Sequence, residues 1–188
     1  DLTTTLDLTA PPSGSGYTAA TGTQTNRLNR NGVPSTCAAP KTTPNLQEAL
    51  PGGIRHYDSY TMTNSLSTPA CYSISFATTC NTGTTLYSAA YGASGFQPTN
   101  IQANYLGDSG VANALPTYSI IVPAGQQFTV VLHEVAVTAN GNGCSYNINV
   151  SGVPIPACSA AAIQGTISGQ VTTPGGIALR NARVILTS

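Results

Sequence analysis

What this 188-residue chain lacks most is charge: 6% of its residues are Asp, Glu, Lys or Arg, six of each sign, and the formal net charge is zero. A typical domain carries about a quarter charged residues, so no basic field exists here to attract nucleic acid or anionic lipid, and neither is expected as a partner. Lys41 is the only lysine and Glu48 and Glu134 the only glutamates, which removes the usual material of amphipathic helices, and almost no helix is expected. No apolar run is long enough to span a bilayer as a helix. Four Asp and two Glu in all make a calcium cage improbable. Two histidines and no G-x-S-x-G leave a Ser/His/Asp triad few forms. Neither a cofactor nor a catalytic set is therefore expected, and enzyme is the losing reading.

Five cysteines without metal-type spacing read as disulfides plus one odd thiol, which points to an extracellular or cell-surface setting. The start at Asp1 rather than Met fits a processed export product or a fragment. A neutral surface rich in Thr, Ser, Asn and Gln suggests a protein that associates with its own kind or carries glycans.

What is present is strand pattern. The chain is organised around TYSIIVPAGQQFTVVLHEVAV, residues 117–137. Tyr118, Ile120 and Val122 alternate with their neighbours, Pro123-Ala124-Gly125 interrupts, and Phe128, Val130 and Leu132 resume the alternation, so a β-hairpin is expected. Val131, Val135 and Val137 make the other face of its second strand apolar too, as in a central strand covered on both sides. At the start, Leu2, Thr4, Leu6 and Leu8 share one face of a period-two strand, which Pro11 to Gly16 detaches from the rest of the chain. Residues 17–55 read as one or two short strands and long surface loops. From His56 the alternation becomes regular, with Tyr72, Ile74, Phe76 and Tyr146, Ile148, Val150 the clearest inward sets. Turn signals fall at 81–83, 92–95 and 140–143. The expected fold is all-β, a jelly-roll or Ig-like antiparallel β-sandwich. The expected organisation is an arm and tether (1–16), a sandwich (17–152), a Pro-containing linker (153–162) and a C-terminal β-hairpin (163–188), an incomplete Ig-like module.

The run YDSYTMTN, the strand opening at Cys71, TYSIIVPAGQQFTVVLHEV and GCSYNINVSG together resemble the pre-peptidase C-terminal type of domain over roughly residues 50–152. That resemblance implies a non-catalytic, jelly-roll-like sandwich attached to secreted bacterial peptidases or surface proteins, and it carries over no functional residue. GTISGQVTTPGGIALRNARVILTS looks like the opening strands of a carboxypeptidase regulatory-like domain, an extracellular stalk module.

Among residues that could carry chemistry, His133 and Glu134 are adjacent on a strand and point to opposite faces, so they cannot share one small site. His56 and Asp58 share a face, and with His133 could in principle hold a metal; a locally hydrogen-bonded histidine at a solvated edge is the plainer reading. Tyr87, Tyr91 and Tyr105 could line a sugar-binding face, although tyrosines of a β domain more often pack. Asn149-Val150-Ser151 matches a glycosylation sequon but falls in an expected strand and is treated as chance. Connections that each reverse direction would put Cys71 with Cys144 and Cys37 with Cys80, leaving Cys158 over. Leu2, Leu6 and Leu8 at one end, and Ile167, Val171, Val184 and Leu186 at the other, form apolar faces that invite strand addition from another chain; the alternative is an arm that pairs with an edge of its own sandwich and a C-terminus cut arbitrarily.

Three functions are expected on these grounds. The first is a non-catalytic extracellular structural subunit that joins copies of itself head to tail into a fibre or surface lattice by strand complementation. The second is an accessory binding or attachment module from a larger secreted peptidase or adhesin. The third, a hydrolase, requires His56, Asp58 and His133 to converge on a pocket.

Overall fold

The computed structural model describes residues 2–6, 17–47, 53–78, 86–112, 116–136 and 144–155, with backbone alone for 2–6 and 144. Among these there are nine strands and no helix: β1 (Leu2–Leu6), β2 (Thr18–Thr25), β3 (Ile54–Thr63), β4 (Ala70–Thr78), β5 (Leu86–Tyr91), β6 (Tyr105–Asp108), β7 (Tyr118–Val122), β8 (Gln127–Glu134) and β9 (Cys144–Pro154). They form a four-stranded sheet, β1-β9-β4-β7, and a five-stranded sheet, β2-β3-β8-β5-β6. Every pairing is antiparallel. From β3 onward only β5 and β6 are joined within one sheet; every other connection crosses to the opposite sheet. Apart from β2, added outside β3, this is the winding of a jelly roll. The chain divides into two compact units, Asp1–Pro156 and Ala157–Ser188. The second lies wholly outside the described residues, and with it the expected C-terminal hairpin.

β8 is the central strand of the five-stranded sheet, and all of it beyond Gln127 is buried. Its even-numbered residues Phe128, Val130 and Leu132 face the four-stranded sheet, within a core that includes Ile74, Tyr118, Ile120, Tyr146 and Ile148. Its odd-numbered Val131, and Val135 just beyond its end, face outward into a second core with Leu28, Tyr87, Ala89, Tyr91 and Ile101. Burying a large apolar side chain is worth about 1.5–3 kcal/mol, so a strand that does so on both faces anchors the fold.

The expected hairpin is corrected. β7 pairs with β4, and β8 with β3 and β5, so the two strands are consecutive but belong to opposite sheets. Both carry apolar residues on the faces they turn toward each other, which suits partners packed face to face as well as strands paired edge to edge. The turn between them has Gly125 at φ 68° and Gln126 N–H donating to Pro123 O (3.2 Å). It is held by Asn64, a fully buried residue of the β3–β4 connection. The Asn64 amide nitrogen donates to Thr68 O, Val122 O and Pro123 O (3.0–3.1 Å), while its oxygen accepts from Leu66 N–H and the Tyr72 hydroxyl. One polar side chain thus pins two sheet-crossing connections together.

The inward sets expected on β4 and β9 all join the inner core. Within residues 17–55 the described residues show the expected strand and long loop, as β2 and the 26–47 segment, and that segment also packs on the five-stranded sheet. Leu28 and Ser35 are fully buried, and Leu28 and Leu46 form a bridge across that cover.

Candidate functional site

The residues singled out for chemistry do not converge. His56 and Asp58 share the inward face of β3, whereas His133 points the other way and sets its ring against Tyr87, centroids 5.5 Å apart. His133 Nδ1–H donates to Glu134 O at 2.6 Å. Burial pushes His133 down to about 4, and the guanidinium groups of Arg55 and Arg27 press in the same direction, so the ring is neutral near pH 7. Glu134 turns inward as alternation requires, and its Oε2 accepts from both the backbone N–H and Nδ1 of His56 at 3.0 Å. Asp58, also buried, accepts from the Tyr146 hydroxyl at 2.6 Å, and Tyr146 in turn bonds the Tyr60 hydroxyl. Burial is the main reason that the Tyr60 and Tyr146 phenols are raised well above the ordinary tyrosine value. Among the described residues no group of three His, Cys, Asp or Glu side chains is placed to hold a metal ion.

The tyrosines offered as a sugar-binding face do not form one. Tyr87 and Tyr91 are each 1% exposed and lie with Tyr105 in the outer core.

The cystine expectation is corrected as well. Cys37 is bonded to Cys71, with Cα atoms 5.9 Å apart, which excludes both Cys37–Cys80 and Cys71–Cys144. The expectation placed the 26–47 segment at the far end of the sandwich, near Cys80. Instead the segment crosses to the β7 side, where Cys37 N–H donates to Ser119 Oγ (3.0 Å) and reaches the start of β4. Cys80 and Cys158 lie outside the described residues.

The arrangement with most bearing on function is the contrast between the two edges of the four-stranded sheet. At the β7 edge, residues Val33 to Cys37 form a strap between the sheets. Ser35 N–H donates to Asp108 O (3.0 Å) on β6, and Ser119 N–H on β7 donates to Ser35 O (2.9 Å). The Ser35 hydroxyl also accepts from Asp108 N–H (2.9 Å). The strap lies flush because a Cβ at Gly107 would collide with Ser35, and one at Gly110 (φ 72°) with the backbone of Val33 and Pro34. Asp108 is fully buried, and its carboxylate accepts from the chain's only lysine, Lys41, from Tyr105 Oη and from Gly110 N–H. A buried charge paired on several sides in this way is satisfied. Sequence reading missed Asp108, Ser35 and Asn64; the lone lysine in a nearly uncharged chain was the one available signal.

At the opposite edge stands β1. Among the described residues it pairs with β9 alone, Leu2 opposite Ile148 through Leu6 opposite Cys144. A backbone ladder is enough to hold an edge strand in register, and the same ladder forms equally well with a strand from another chain.

No family model, curated protein or solved structure matches the chain.

Proposed function

We propose that the chain is a non-catalytic extracellular structural subunit whose β1 arm leaves its own β9 and completes the four-stranded sheet of a neighbouring copy. The observation that carries this reading is that, among the described residues, β1 pairs only with β9 and lies at an edge of its sheet. Exchange between copies keeps every pair of that ladder, so the folded ends of the reaction differ little in energy, and the choice rests on the tether and on concentration. A head-to-tail contact of this kind does not close on itself and so propagates. The Cys37–Cys71 bond and the neutral polar surface support a setting outside the cell or on its surface. The C-terminal residues Ile167, Val171, Val184 and Leu186 are proposed to add to the same junction or to the next.

Deleting Asp1 to Ala10, or making Leu6→Asp, is expected to abolish filaments seen by electron microscopy while the sandwich keeps its circular dichroism spectrum. Filaments unchanged in the deletion variant would sink the proposal. A second reading, an accessory attachment module of a larger secreted protein, is favoured by a groove on the outer face of the five-stranded sheet.

A further inference from the structure

Only part of that outer face is covered. The 26–47 and 92–104 segments lie over Tyr87, Ala89, Tyr91 and Val131, and where the cover stops, at the step beside Phe96, a groove of about 380 Å³ is left. Its floor is Ala20, Ser59, Thr61, Gln127 and Thr129, from β2, β3 and β8; its wall is Tyr57 with Ala93 to Phe96. None of these side chains is charged at neutral pH, and burial raises the Tyr57 phenol further from ionisation. The floor is therefore a carpet of hydroxyl and amide groups. Thr61 and Thr129 hydroxyls bond each other (2.9 Å) and Ser59 donates to Ala20 O (3.2 Å), and each hydroxyl keeps further capacity to donate or accept. The wall adds two half-buried rings, Tyr57 and Phe96, edge to face with centroids 4.9 Å apart.

The wall is also fixed in advance. Gly95 sits at φ 76°, its N–H donates to Gly92 O (2.8 Å), and its carbonyl accepts from the Asn104 side chain (2.9 Å). Gly92 N–H donates to Asn104 O (2.7 Å), closing the loop on itself. A site formed before its ligand arrives loses less on ordering.

The geometry points to a neutral saccharide as the occupant: hydroxyl-rich, able to lay C–H faces on an aromatic edge, and needing no counter-charge. An acidic glycan or a phosphorylated ligand would meet no cation in this groove. This inference rests on the attachment reading. Isothermal titration with neutral oligosaccharides (glucan, mannan and xylan hexamers) and with oligogalacturonate tests it, with backbone amide shifts followed by NMR. Saturable binding of a neutral hexamer is expected, with shifts at Thr61, Gly95 and Thr129 and affinity indifferent to salt. Phe96→Ala is expected to weaken binding about tenfold, the loss of one aromatic contact, and Thr61→Val tests the floor without removing a ring. Binding of a neutral hexamer with shifts elsewhere would overturn the groove and leave the attachment reading standing. Binding of oligogalacturonate alone would overturn the saccharide class, and no binding by any of the four would overturn both readings.

Discussion

The two edges of the four-stranded sheet are built on opposite plans. The β7 edge is tied down from one segment, residues 35–41, by the backbone bonds of Ser35, the Cys37–Cys71 bond and the Lys41–Asp108 ion pair. At the β1 edge the described residues show a backbone ladder of five residue pairs with β9. A sheet edge is a template for another strand unless something blocks it, and among the described residues the strap blocks the β7 edge.

That contrast can be broken from the fixed side first. Lys41→Met strands the buried Asp108 carboxylate without its cation, and a loss of about 3–5 kcal/mol is expected from urea unfolding. Cys71→Ser removes a covalent link across 34 residues and is expected to lose roughly 3–4 kcal/mol by the same measurement. Acid sharpens the comparison more gently. His133 titrates near 4 when buried against an ordinary value of 6.5. The unfolded chain therefore binds the extra proton first, and stability is complete above about pH 6.5 and declines as pH falls toward 4, by about 3 kcal/mol at most. Melting temperatures taken across pH 4 to 7 read this directly, and His133→Gln is expected to flatten that part of the profile. On the exchangeable side the effect on the domain is smallest: Leu6→Asp is expected to leave unfolding of the sandwich within about 1 kcal/mol of the parent, as edge substitutions usually do, while removing assembly.

The strands were legible in the sequence where one face is apolar and the other polar. Tyr72, Ile74 and Phe76 on β4, and Tyr146, Ile148 and Val150 on β9, turn to the core as period-two alternation requires. β8 was recognisable because Val131 and Val135 break the alternation on its outer side, and such a strand needs a cover. Pairing was not legible. Val122 and Phe128 look alike whether their strands share a ladder or face each other across a core, and the decision falls to Asn64, 58 residues before Val122. The cystine assignment failed for a related reason. It depended on where an irregular segment runs, and that path is set by Ser35 bonding to two strands more than 70 residues away in sequence. β6 was missed because its four residues, Tyr105 to Asp108, are too few to establish a period. The His56–Glu134 contact spans 78 residues and follows from the β3–β8 register, which places His133 opposite Tyr57.

The central claim is that β1 completes a neighbour's sheet, and a cross-link placed in the β1–β9 ladder tests it most directly. Thr3 and Asn147 are register partners, so a chain carrying both Thr3→Cys and Asn147→Cys should form a disulfide wherever that ladder exists. After oxidation under assembly conditions and electrophoresis without reductant, exchange between copies predicts a ladder of covalent oligomers that is absent from the parent chain. A band that stays monomeric, with peptide mapping showing Cys at position 3 joined to Cys at position 147 of the same molecule, would contradict it.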